Sequence, residues 1–384
     1  MLRRIQTITP KILSVLTGLY LFLPAFAGAT GLVNTYASLT SNSGPVDIVE
    51  GPNGNLWFTE NDGNSIGEIT TAGVVTEYPI PTSSSGPMAI TVGPNGNLWF
   101  TEYRGNKIGE ITPSGSITEY PITTPSSYPV GITTGPNGNL WFTEYEGNNI
   151  GEITTSGTIT EFPVTTSNSF PIGITNGSNG NLWFAESGGN NIGEITTSGT
   201  ITEFPVATSN SSPLDITLGP DNNLWFTEYD GDNIGKITSS GVVTEYPLTS
   251  INAEPMGITT GPDNNLWFAE YNGSNVGNIT TSGVVTEYPV STTNAAPIGI
   301  ATGADNNIWF TDFNNSNIDQ LVITNNNSNP LITVTSVSNV KAPDTSFGSA
   351  KPSANWKDII AIISLPIVIG ILGYSYYVSR RRIG

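Results

Sequence analysis

Gly93-Pro94-Asn95-Gly96-Asn97-Leu98-Trp99-Phe100-Thr101-Glu102 decides the fold, because the chain repeats this phrase, with small changes, seven times. The tryptophans of the seven copies, Trp57, Trp99, Trp141, Trp183, Trp225, Trp267 and Trp309, stand 42 residues apart without a slip. Each copy continues into a phrase like Ile108-Gly109-Glu110-Ile111-Thr112 and then into one like Thr118-Glu119-Tyr120-Pro121. A period of roughly 40 to 50 residues built from short strands marks a propeller array. A constant interval means that each copy occupies an equivalent place in a closed, symmetric body.

Within one period the turn clusters cut out four strands. Pro87 to Val92 follows a Ser/Gly turn, and Gly93-Pro94-Asn95-Gly96 turns the chain into Asn97 to Glu102. Lys107 to Thr112 and Ser116 to Tyr120 complete the set, which is one blade. Leu98, Trp99 and Phe100 are apolar in succession, so both faces of that strand must be covered. A blade packed between two neighbours meets that demand, and the tryptophans read as packing residues worth about 2–3 kcal/mol each.

The last copy loses its fourth phrase, since nothing like T-E-Y-P follows Trp309 at the expected place near residues 328–330. Its counterpart lies at the start, where Val33-Asn34-Thr35-Tyr36 aligns in register with Val75-Thr76-Glu77-Tyr78. The expected fold is therefore all-β, a seven-bladed propeller over 30–335 whose N-terminal strand completes the seventh blade. Such an exchange removes the open edges between first and last blades.

The two ends read as addresses. Residues 1–29 have a basic start, an apolar run from Ile12 to Leu23 and the small-x-small site Ala25-Phe26-Ala27, the features of a signal peptide. Residues 336–357 read as a flexible stalk, 358–378 as a transmembrane helix and 379–384 as a cytoplasmic tail. Arg380, Arg381 and Arg382 after the apolar run place the C-terminus inside and the propeller outside. The expected location is a single-pass membrane protein, monomeric, with an extracytoplasmic body.

Composition limits the chemistry. The chain carries a net charge of −19, and between Gly28 and Val340 its only bases are Arg104, Lys107 and Lys236. Phosphate backbones would be repelled, which excludes nucleic acid as a partner. Cations, glycans, peptides or another small molecule suit the surface better. The 384 residues include no Cys and no His, so disulfides are absent and the usual general base near neutral pH is missing.

Function must lie where the copies differ, around the channel mouth. One ring is the carboxylate ending W-F-T-E, namely Glu60, Glu102, Glu144, Glu186, Glu228, Glu270 and Asp312. It reads either as a cation-binding mouth or as seven acids that each organise their own turn. The residue before the first-strand proline varies most, and Tyr128, Phe170 and Glu254 stand out there. Tyr103, Tyr145, Tyr229, Tyr271 and Phe313 add aromatic surface just after the second strand, and Asp47 and Asp215 replace Gly or Ala inside the first. The binding rim expected from these positions comprises Tyr128, Phe170, Asp215, Tyr229 and Tyr271.

The copies Gly219-Pro220-Asp221-Asn222-Asn223-Leu224-Trp225-Phe226-Thr227-Glu228, Ile234-Gly235-Lys236-Ile237-Thr238 and Thr244-Glu245-Tyr246-Pro247 resemble the virginiamycin B lyase (streptogramin lyase) family over about residues 33 to 323. That resemblance implies a seven-bladed propeller that opens cyclic depsipeptides at an ester by elimination with Mg²⁺. It further implies two histidines, each just after a first-strand proline in adjacent blades, and two metal-binding glutamates. The histidine positions correspond here to Leu214 and Met256, and the glutamates to Glu254 and Glu270. Neither Leu214 nor Met256 can abstract a proton, so the resemblance carries the fold further than the activity. A binding module is the reading the residues favour; the alternative is a Mg²⁺-dependent lyase or hydrolase of cyclic esters.

Overall fold

Pro45–Glu50, Leu56–Glu60, Ser65–Ile69 and Val75–Pro79 pair in that order as one antiparallel sheet. The computed structural model, which describes residues 33–323 apart from residue 39, repeats this sheet around a central channel. Blades 1 to 6 span 45–79, 87–121, 129–163, 171–205, 213–247 and 255–289, and blade 7 comprises 297–321 together with Val33–Ala37. The strands expected in the copy around Trp99 fall at Pro87–Val92, Leu98–Glu102, Lys107–Ile111 and Ile117–Pro121. The expected signal peptide (1–29), stalk (336–357), transmembrane helix (358–378) and tail (379–384) lie outside the described residues. Among the described residues no helix is long and apolar enough to cross a membrane.

The second strand of each blade is buried along its whole length. Its two faces serve different neighbours. Trp57 packs with Ile90, Leu98 and Phe100 of blade 2, whereas Leu56 and Phe58 pack with Trp309 of blade 7. Trp57 also stacks on Tyr78 of its own blade at 5.6 Å and 12°, and its indole N–H donates to Asn53 Oδ1 at 3.2 Å. A side chain on Gly67 would strike the Phe58 ring, since a Cβ there would stand 2.1 Å from Cζ. Gly73, in the third-to-fourth-strand turn, has φ +83 and lies under the Tyr36 ring of blade 7, a place only glycine fills without strain.

Closure follows the expected strand exchange. Val33–Ala37 pairs antiparallel with Asn317–Leu321, from Val33 opposite Leu321 to Ala37 opposite Asn317. Tyr36 then stacks on Trp309 at 5.5 Å and 19°, the contact that Tyr78 makes with Trp57. At the inner strands a threonine joins neighbouring blades. Thr59 Oγ1 accepts from the Asp47 N–H at 3.0 Å and donates to the Met88 carbonyl of blade 2 at 2.6 Å. Thr311 makes the corresponding link to the Val46 carbonyl at 2.9 Å and so joins blade 7 to blade 1. Ala185 and Ala269 occupy this position in blades 4 and 6, and those two junctions lack the hydroxyl.

Charges on the third strand follow the turn residues beside them. In blade 1, Glu68 accepts from Asn53 at 2.8 Å and from the Tyr78 hydroxyl at 2.9 Å. In blade 5 the partners are exchanged: Asp221 replaces the asparagine at the turn, and Lys236 replaces the glutamate and lies 5.0 Å above Trp225. Each substitution is matched locally, so the fold tolerates it.

Candidate functional site: the channel mouth

The inner strand of each blade begins with a proline and then bulges. In blade 1, Pro45 pairs with Glu60 and Ile48 with Phe58, so three steps on one strand match two on the other. The bulge sets the two residues after the proline at the channel. The first forms an apolar collar of Val46, Met88, Val130, Ile172, Leu214, Met256 and Ile298. The second forms a ring of Ala89, Gly131, Gly173, Gly257 and Gly299, broken by Asp47 and Asp215. Together with Tyr103, Tyr145 and Tyr229 these residues enclose about 140 Å³ of free space.

Leu214 and Met256, where the resemblance implied histidines, are therefore part of an apolar wall, each only 6% exposed. Asp47 and Asp215 act as straps between blades. Asp47 accepts from its neighbour Ile48 N–H and from Ile90 N–H of blade 2, both at 2.8 Å. Asp215 does the same with Ile216 and with Ile258 of blade 6, both at 2.9 Å. Enclosure in the channel raises Asp47 to about 7, against the opposing pull of the Ile90 N–H and with a further push from Asp215. Asp215 rises to about 6 for the same first reason, opposed by its two N–H donors.

The residue before the proline adopts a left-handed backbone in six blades: Gly44, Gly86, Tyr128, Phe170, Ser212 and Glu254. For the non-glycines this conformation costs on the order of 1 kcal/mol. Three of these four side chains meet an aromatic residue of the preceding blade. Tyr128 lies against Tyr103 at 4.8 Å, Phe170 stacks on Tyr145 at 4.7 Å, and Glu254 Oε2 accepts from the Tyr229 hydroxyl at 2.8 Å. Tyr128 and Phe170 are half-buried and Tyr229 and Asp215 line the cavity. Tyr271 is buried against the collar cluster without lining the cavity. Tyr145, outside the rim set expected from sequence, is 1% exposed, lines the cavity, and its hydroxyl has no hydrogen-bond partner. Its presence among the aromatic residues after the second strand was visible in the sequence, but its orphan hydroxyl was not.

The W-F-T-E carboxylates do not line the channel. Glu60, Glu102, Glu144, Glu186, Glu228, Glu270 and Asp312 are each fully buried, under the second-to-third-strand turns. Of the two readings open in the sequence, the geometry has the form of acids held within their own blades. Glu270 Oε2 accepts from Asn275 at 2.7 Å while Oε1 has no partner. Burial raises its carboxyl to about 7, opposed by the Asn275 amide, with Glu287 and Asp232 as the like charges. Glu254 turns instead to Tyr229, and its own N–H donates to Asp232 Oδ1 at 3.1 Å. The two acids thus bond to different partners, and among the described residues no group of three or more His, Cys, Asp or Glu is placed to hold a metal ion.

Fold and site thus define a seven-bladed propeller whose variable chemistry is gathered at one channel mouth. The sequence profile of the virginiamycin B lyase family matches residues 27–192 and 166–332. A streptogramin B lyase structure is 38% identical, with a TM-score of 0.74, covering 76% of this chain and 97% of that one. Virginiamycin B lyase from Staphylococcus aureus is 42% identical, with a TM-score of 0.73, covering 76% and 99%. A catalytically inactive histidine-to-alanine form of the S. aureus enzyme with quinupristin is 41% identical over the same shares, also at a TM-score of 0.73. No curated protein sequence matches the chain. The chain belongs to the virginiamycin B lyase family.

Proposed function

We propose that this family member is a binding propeller, held by its C-terminal helix at the outer face of a membrane, and that it takes a peptide or glycan at the channel mouth. The observation that carries the reading is the collar. Where lyase relatives need a proton acceptor, Leu214 and Met256 continue an unbroken apolar ring. In the S. aureus enzyme, replacing one histidine by alanine accompanies loss of catalysis, and this chain contains no histidine. An apolar wall, two aromatic stacks at the rim and one unused hydroxyl suit an amphipathic ligand that seats an apolar group in the collar. Tyr145 Oη would donate to an acceptor on that ligand.

The test uses the purified full-length protein, a peptide and glycan array, and quinupristin with Mg²⁺. Array ligands should bind the parent and lose affinity with Tyr145→Phe, while quinupristin stays cyclic. Ring opening without a change of mass would instead support the lyase alternative with Glu254 and Glu270 on Mg²⁺, and a gain of one water would indicate hydrolysis. No binding to any array member, with quinupristin turned over, overturns the proposal.

A further inference from the structure

Each of blades 1 to 6 places its buried second-strand glutamate near a fourth-strand glutamate: Glu60 with Glu77, Glu102 with Glu119, Glu144 with Glu161, Glu186 with Glu203, Glu228 with Glu245 and Glu270 with Glu287. Two carboxylates at close quarters cannot both stay charged without a compensating group. The residue opposite the buried glutamate on the third strand supplies one in most blades. In blades 3 to 6 it is Asn149, Asn191, Asn233 or Asn275, whose amide donates to the buried acid at 3.1, 3.3, 3.0 and 2.7 Å.

Blade 2 uses a cation. Lys107 Nζ stands 3.2 Å from Glu119 Oε2, also donates to Thr82 Oγ1, and its charge acts on Glu102. Burial would raise Glu119, but Thr82 and the Lys107 ammonium together hold it below the ordinary value.

Blade 1 has neither solution. Ser65 stands at the Lys107 position, is too short to reach the pair, and donates to the Gly63 carbonyl at 3.3 Å. Glu60 is fully buried and, like Glu102, has no hydrogen-bond partner on either carboxyl oxygen, but unlike Glu102 it has no ammonium beside it. Around it are oxygens rather than amides. Ser43 and Ser38 lie close enough to act on the Glu60 carboxyl, with their hydroxyls 2.8 Å apart. Thr40 binds Glu77 through its N–H at 2.8 Å and its hydroxyl at 2.6 Å.

We propose that blade 1 binds a calcium ion between Glu60 and Glu77, in the place that the Lys107 ammonium takes in blade 2. The ion accepts oxygens from both carboxylates and from the hydroxyls of Thr40 and Ser43, with water filling the shell. Calcium suits this set because it takes six to eight oxygens in loose geometry, whereas magnesium demands a tight octahedron. Thr40 and Ser43 lie in the segment that leads from the closing strand into blade 1, and the Ser38 hydroxyl donates to the Ser316 carbonyl of blade 7 at 3.1 Å. The ion therefore fastens the closure of the ring.

The test is thermal unfolding of the purified full-length protein, stripped with chelator and then titrated with calcium chloride against sodium chloride of equal ionic strength. Calcium should raise the Tm by several degrees, with half effect at about 1 mM or below. Glu60→Gln should abolish the response. Ser65→Lys should abolish it too, while matching the calcium-loaded parent in chelator, because the ammonium replaces the ion. If Glu60→Gln does not fold, Ser65→Lys decides alone. An unresponsive parent, equal shifts with sodium, or a calcium response that survives Ser65→Lys overturns the proposal.

Discussion

The Tyr229 hydroxyl of blade 5 donates to Glu254 Oε2 of blade 6 at 2.8 Å, across the junction where the channel mouth departs furthest from its repeat. Glu254 holds φ +52, a backbone that Gly44 and Gly86 adopt freely in blades 1 and 2. Its side-chain bond offsets a strained main chain. Glu254→Ala should therefore cost about 1–3 kcal/mol, since it keeps the strain and leaves the buried Tyr229 hydroxyl unpaired. Glu254→Gly should cost about 1 kcal/mol less than that, because glycine relieves the backbone. Thermal unfolding of the two variants side by side checks the order.

Closure rests on one stack as well as one strand. Tyr36→Ala removes the ring that covers Trp309 and Gly73, and it should destabilise by about 2 kcal/mol. Deleting residues 33–37 should do far more, since it exposes the edge of Asn317–Leu321. Limited proteolysis should then cut blade 7 first, whereas Tyr36→Ala should leave the cleavage pattern of the parent.

Stability should fall as pH rises. Burial lifts Glu60, Glu102 and Glu186 to about 8 and Glu144, Glu228 and Glu270 to about 7 from an ordinary 4.5. Between those limits the folded chain holds protons that the unfolded chain has released, so this contribution is complete below about pH 4.5 and is lost as pH climbs towards 8. Tm measured across that window should decline steadily. A Tm that climbs between those limits would contradict the burial of these acids. Calcium at Glu60 competes with the proton, so its effect should fade at the acid end.

Asp319 offers a single-site version of the same test. It stands on the third strand of blade 7, where the other six blades carry glycine, opposite Thr35 of the closing strand. It is fully buried, and burial, opposed by the facing Thr35 hydroxyl and helped by the nearby Asp312, raises it to about 8. Asp319→Asn should raise the Tm at alkaline pH and leave it nearly unchanged in acid, where the parent side chain is already neutral.

Lys236 tests the local matching of charges. Lys236→Glu places a carboxylate beside Asp221 and removes the ammonium over Trp225, a loss of about 1–2 kcal/mol. Adding Asp221→Asn restores the pairing that Asn53 and Glu68 use in blade 1, at 2.8 Å, and should recover most of it. A double-mutant cycle on thermal unfolding gives the coupling directly.

Much of the site was legible because the repeat works as a ruler. Leu214 and Met256 stand where the family resemblance implies histidines, which the repeat register locates in this chain, and Tyr128, Phe170 and Glu254 stand out as departures at one register. Direction was not legible. Glu270 and its counterparts share a register with the mouth, yet their side chains turn under their own blades rather than into the channel. The bulge after each proline shifts the alternation of the first strand by one residue and brings its side chains to the channel, whereas the second strand, which carries Glu270, runs in unbroken register beside it.

By itself the sequence determined the number of blades, the four strands in each and the strand exchange that closes the ring, because each is a matter of periodicity and local turn chemistry. Only the tertiary structure decided that Asp47 and Asp215 strap neighbouring blades, that the buried Tyr145 hydroxyl has no partner, and that Glu60 has neither the asparagine amide of blades 3 to 6 nor the nearby ammonium that Lys107 supplies in blade 2. Those facts depend on which atoms of different blades come within hydrogen-bonding distance. Residues 42 positions apart are equivalent in sequence but not in surroundings once each has a different neighbour.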